Sequence, residues 1–93
     1  NTANSGGGVY LHNAATIIES NQIYSNTIAD SGVGGGVYAH CSIPQLQHNE
    51  IFANKANNIT TASVGGGAYL SGENGVLNGN FIHHNSIHSG GGI

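Results

Sequence analysis

Charge is what this chain has least of. Its 93 residues include one Lys, no Arg and four acidic residues, for a formal net charge of −3. An ordinary globular domain is about one-quarter charged. Binding to nucleic acid needs clustered Lys or Arg to neutralise phosphates, so that class is excluded. Anionic membrane surfaces are disfavoured for the same reason. No apolar run approaches the ~20 residues that span a bilayer. Cys41 is the only cysteine, so no internal disulfide can form. The chain has no signal-peptide pattern and no initiating Met, which points to a mature, trimmed or excised segment.

Apolar residues are also scarce, at 38%. Disorder would combine few apolar residues with high net charge. Here net charge is small, and Ile and Val recur at fixed places. Polar groups that satisfy one another in an ordered structure are therefore expected.

What is abundant is glycine, 16 residues in all, and it is periodic. Gly-Gly-Gly occurs at 6–8, 34–36, 65–67 and 90–92, at spacings of 28, 31 and 25 residues. From the first Gly of a triplet to the Asn of an Asn-x-Ile motif is 15 residues in each repeat, giving Asn21, Asn49 and Asn80. A second Asn follows five residues later, at Asn26, Asn54 and Asn85. All variation in length falls between that Asn and the next triplet. A fixed cross-section with one elastic loop behaves this way, and such periods mark solenoids.

Stacking the repeats produces columns. Val9, Val37 and Ala68 align, as do Leu11, Ala39 and Leu70. Ile18, Leu46 and Leu77 form a core column, and Ile23, Ile51 and Ile82 form the most regular one. Ile28, Ala56 and Ile87 make a last apolar column. Along the chain apolar and polar residues alternate over short runs, which is the period of strands. Glycine triplets would break a helix at about 1 kcal/mol per residue. The expected fold is all-β: a parallel β-helix of about three coils, one per repeat of 25–31 residues. Residues 1–5 end a preceding coil, 6–33, 34–64 and 65–89 are the three coils, and 90–93 open a further one. Strands are expected over 8–11, 17–19 and 22–24 and their equivalents, with a fourth near Ile28. The Asn columns are expected at the corners, where Asn tolerates left-handed backbone and stacked amides form a hydrogen-bonded ladder.

The pattern Gly-Gly-Gly-Val-Tyr-Leu followed by Glu-Ser-Asn-Gln-Ile-Tyr-Ser-Asn-Thr resembles the right-handed β-helix repeats of the pectate-lyase-like superfamily. It is most similar to the repeats of large microbial secreted or surface proteins, such as autotransporter passengers and polymorphic outer-membrane proteins. The resemblance covers essentially the whole chain. It implies a right-handed solenoid and an extracellular location. It leaves activity open, because the superfamily includes lyases, hydrolases, adhesins and spacers.

Candidate sites are few. Tyr10, Tyr38 and Tyr69 form an outward column that could bind sugar rings; the plainer alternative is a ladder that stabilises the sheet. Tyr24, Phe52 and His83 form a second outward column with the same two readings. His12 and His40 stack as a weak candidate for a transition metal, with Ser71 in third place; solvated surface residues are the plainer reading. His83 and His84 are adjacent, with His88 nearby and His48 before Asn49. Lyases of this fold need clustered carboxylates with a basic residue, and hydrolases need paired carboxylates. Glu19 aligns with Gln47 and Asn78, Glu50 with Gln22 and Phe81, Glu73 with Ala14 and Ser42, and Asp30 falls in the variable loop. No catalytic residue and no cofactor is therefore expected within the chain. Asn58-Ile59-Thr60 is a glycosylation sequon. Calcium-binding nonapeptides need recurring Asp, and only Asp30 is present.

The sequence reading is thus a structural or adhesive segment of a secreted or cell-surface microbial protein. Its partners would be neighbouring coils of a longer chain, or further copies meeting end to end. The alternatives are a carbohydrate-binding module on the Tyr column, or part of a polysaccharide lyase or hydrolase whose site lies elsewhere.

Overall fold

A computed structural model describes residues 1–40, 42–56, 65–72, 74–87 and 90–91. Among these residues there is no helix, and the strands form four sheets. The first sheet contains β2 (Val9–His12), β6 (Val37–His40) and β10 (Ala68–Ser71). The second contains β3 (Ala15–Glu19), β7 (Ile43–Gln47) and β11 (Val76–Asn78). The third contains β4 (Gln22–Tyr24), β8 (Glu50–Phe52) and β12 (Phe81–His83). The fourth runs β1 (Thr2–Ser5), β5 (Thr27–Val33), β9 (Lys55–Ala56), β13 (Ser86–Ile87) and β14 (Gly90–Gly91). This architecture is consistent with a parallel β-solenoid. Asn58, Glu73 and His88 lie outside the described residues, as do the boundary positions 64 and 89.

Neighbouring strands in each sheet are parallel and lie one repeat apart, with one exception at β14. Val9 pairs with Val37 and Val37 with Ala68. Ile18 pairs with Leu46 and Leu46 with Leu77. Ile23 pairs with Ile51 and Ile51 with Ile82. Ile28 pairs with Ala56 and Ala56 with Ile87. Because side chains alternate along a strand, these pairings turn one apolar set inward. Ile18, Ile23, Val37, Leu46, Ile51 and Ala68 form the buried cluster, with Val9, Leu11, Leu70 and Ile82 packed against it. Burial is deepest in the middle repeat, where Val37, Leu46 and Ile51 are covered from both sides. Leu77, expected in the core, is 43% exposed. It holds its register over Leu46 on β11, an edge strand of its sheet, whereas Ile18 on the opposite edge is buried.

The glycine triplets sit where adjacent backbones touch. Gly34 has a φ of 69°, a conformation that costs a residue with a Cβ roughly 1–2 kcal/mol. A Cβ on Gly35 would overlap the Gly66 carbonyl, and one on Gly36 would lie 2.5 Å from the Gly67 oxygen. The backbone bonds that need this closeness run from Gly35 N to Gly65 O and from Gly36 N to Gly67 O, both 2.9 Å. Conformation therefore selects glycine at the first place, and space selects it at the next two.

At the two ladder corners left-handed backbone belongs to the residue before the Asn, not to the Asn itself. Positive φ falls on Ser20, Ser25, His48, Ala53 and His84, each immediately before a ladder Asn. Gly79 holds the same place before Asn80, with a φ of 64°. The preceding residue thus makes the turn, which frees the Asn side chain to bond across repeats. Asn49 Nδ2 donates to Ile18 O at 2.7 Å, and Asn80 Nδ2 to Leu46 O at 2.6 Å. In the second column Asn54 Nδ2 donates to Ile23 O at 2.9 Å, and Asn85 Nδ2 to Ile51 O at 2.8 Å. The amide oxygens accept in the same sense: Asn21 N donates to Asn49 Oδ1, Asn49 N to Asn80 Oδ1, Asn26 N to Asn54 Oδ1 and Asn54 N to Asn85 Oδ1. Asn49, Asn54, Asn80 and Asn85 thus each hold both a donor and an acceptor of the corner in the preceding repeat.

Gly90–Gly91 pairs antiparallel with Ser86–Ile87, with Ile87 opposite Gly90 and Ser86 opposite Gly91. The peptide groups along that edge of β13 are thereby bonded to the chain's own return strand, which meets the requirement that such groups be paired.

Three stability predictions follow from this packing. Replacing fully buried Ile51 by Asn should cost about 4 kcal/mol or more, from lost apolar burial and an unpaired amide, read by urea unfolding. Asn54→Leu strands the Asn26 amide and the Ile23 carbonyl at about 1–3 kcal/mol each. It should exceed Thr27→Ala, at a half-buried position, in the same measurement. Ala53 is exposed with a φ of 54°, so Ala53→Gly should stabilise by about 0.5–1 kcal/mol, raising the urea midpoint.

Candidate functional site

The outward faces of the sheets carry the remaining chemistry. On the first sheet Tyr10, Tyr38 and Tyr69 are in register, and their rings stack at 5.1 and 5.4 Å between centroids, with interplanar angles of 17° and 8°. This arrangement follows from the strand spacing of ~4.8 Å, which places like side chains one ring thickness and a small offset apart. Its consequence is that both faces of Tyr38 are covered by its neighbours. A sugar that stacks on an aromatic ring needs an open face, and within the column only the outer sides of Tyr10 and Tyr69 can supply one.

His12 and His40 are likewise in register, with rings 5.6 Å apart and 15° from parallel. Lone pairs of imidazole nitrogens lie in the ring plane. Near-parallel rings aim those lone pairs side by side rather than at one point. Two nitrogens sharing an ion at ~2.0–2.1 Å can be no more than ~4.2 Å apart. Stacked in this way, the His12 and His40 rings do not present their lone pairs to a common point. His40 Nδ1 is buried with no hydrogen-bond partner among the described residues. Carried as the Nε2–H tautomer, His40 leaves there a bare acceptor rather than a stranded donor.

The third sheet brings together residues that column matching keeps apart. Tyr24, Phe52 and His83 stack at 5.0 and 5.2 Å. Phe81, 62% exposed, lies against His83 with ring centroids 4.2 Å apart. Glu50 pairs in register with Phe81, yet its Oε1 reaches diagonally to His83 Nε2 at 3.0 Å. Gln22 Nε2 donates to the other carboxylate oxygen at 3.1 Å. On its far side His83 Nδ1 faces His84 Nδ1 at 2.6 Å, with the two rings at 83°. Gln22, Glu50, His83 and His84 thus form one polar chain across three repeats.

Glu19 does not join it. Glu19 is on β3, in the second sheet, in register with Gln47, and Asp30 is on β5, in the fourth. Among the described residues no group of three or more His, Cys, Asp or Glu side chains is arranged to hold a metal ion. Glu50 faces the nitrogen of His83 that points away from His84, so it orients that ring instead of adding a third donor. A hollow of about 390 Å³ opens beside Val9, Ile18 and Ile23, with Asn21, Tyr24 and Asn26 around it. Its walls are the core faces turned away from the second repeat, so it is the end of the hydrophobic column. Set against protein-family models, curated proteins and solved structures, the chain has no match.

Proposed function

We propose that the chain is a three-coil stretch of right-handed parallel β-helix that serves as a structural or adhesive segment of a secreted or cell-surface microbial protein. The observation that carries this reading is the uniform direction of its bonding. The parallel strand pairs, the Asn ladders and the Tyr column join one repeat to the next. A molecule whose parallel ladders and side-chain stacks run along one axis resists extension and bending, which is the property a spacer or filament needs. Repeat architectures draw their stability from such nearest-neighbour contacts. Low charge supports the same role, since stability that does not rest on ion pairs is insensitive to ionic strength.

The test is electron microscopy of the native material, labelled with an antibody raised against this 93-residue segment. Label along rods or at the cell surface is the expected result. Label confined to the cell interior overturns the reading, as does turnover of pectin-like or neutral polysaccharides by the segment itself. Glycan titration of the wild type and Tyr38→Ala separates scaffold from lectin. We expect no glycan binding that depends on Tyr38, and a Tyr38-dependent affinity would make the Tyr column a binding site.

A further inference from the structure

We propose that His83 and His84 form a two-nitrogen chelate for a transition-metal ion that favours square-planar coordination, Cu(II) above all. Four features support this site. First, the two Nδ1 atoms are hydrogen-bonded to one another at 2.6 Å with the rings at 83°, so both nitrogens border the same small space. Second, that separation discriminates between metals. Two adjacent positions of a square plane with bonds of ~2.0 Å are ~2.8 Å apart, whereas two tetrahedral positions are ~3.3 Å apart. The hydrogen-bonded spacing of 2.6 Å is below both, so the pair must open to take an ion, and it opens less for a square plane than for a tetrahedron. Copper also stands highest among the divalent ions for imidazole ligands.

Third, the tautomer of His83 is set from outside. Its Nε2 lies 3.0 Å from Glu50 Oε1, and that carboxylate is itself held by Gln22. The proton therefore sits on Nε2, and Nδ1 presents a lone pair toward His84. A carboxylate behind a ligating imidazole is the usual means of fixing ring orientation and raising basicity. Without metal, His84 carries its proton on Nδ1 and donates it to His83. When the ion binds, that proton moves to His84 Nε2 through solvent, and no net charge is lost from the pair.

Fourth, the site is both rigid and reachable. The His83 ring is stacked on Phe52 and packed by Phe81. His84 has a φ of 52° and precedes Asn85, which is tied to the second repeat through Ile51 O and the Asn54 amide. The His83 and Glu50 side chains are 23% and 35% exposed, and His84 is exposed, so water can complete the coordination. The fold does not demand this pair. The equivalent residues are Tyr24 and Ser25 in the first repeat and Phe52 and Ala53 in the second. Both positions became His in one repeat only, at the place where Glu50 can reach.

The experiment is titration of the 93-residue chain with Cu(II), followed by calorimetry and electron paramagnetic resonance. One ion per chain is expected, with hyperfine structure from two nitrogens. His84→Ala copies the corner of the second repeat and His83→Tyr copies the first, so neither disturbs the fold; circular dichroism verifies this. Each should weaken binding at least ~10-fold. Glu50→Gln should weaken it by roughly 10–100-fold, as for other outer-shell partners. His12→Ala and His40→Ala should leave it unchanged. Copper affinity undiminished in His84→Ala, or a spectrum with one bound nitrogen, overturns the proposal.

Discussion

Registration between repeats is the constraint on which everything else rests, and the asparagine side chains enforce it. A backbone ladder alone accepts a slip of two residues without changing which side chains face inward. The Asn bonds do not. Asn49 must reach Ile18 O while its own oxygen receives the Asn21 amide, and Asn54 must do the same at Ile23 and Asn26. Two such clamps five residues apart hold the third-sheet strand between them in a single alignment. The Ile23–Ile51–Ile82 column lies inside that clamp, so burial of the apolar core and satisfaction of the corner amides favour one and the same register.

The corners show how the clamp is built. A residue with left-handed backbone turns the chain, and the Asn after it spends its side chain on the neighbouring repeat. Dividing the work this way lets the turning position vary among Ser, His, Ala and Gly, while the bonding position is Asn in every described repeat. Asn54, with no exposed surface, is the clearest instance of a buried polar group retained because all its partners are present.

Much of this was legible in the sequence because vertical neighbours are simply residues one repeat apart. Counting from the glycine triplets located every core column, the Asn pairs, the Tyr column and the stack of Tyr24, Phe52 and His83. Three things were not legible. The turning residue could not be told from the Asn beside it, because both are corner residues by composition and only φ separates them. The exposure of Leu77 is not encoded in the column to which it belongs, since Ile18 at the other end of that column is buried. The contact between Glu50 and His83 is diagonal: the two residues align with Phe81 and Phe52, not with each other. Side chains as long as Glu span that offset, so matching by column alone misses it.

The sameness of the joints has one more consequence. Asn49 meets the first repeat as Asn80 meets the second, atom for atom. A repeat unit copied in tandem within the gene would find compatible partners above and below, and one excised would leave matching surfaces behind. The reach of such a molecule is then a matter of copy number. It can be lengthened or shortened by recombination without any new interface having to evolve.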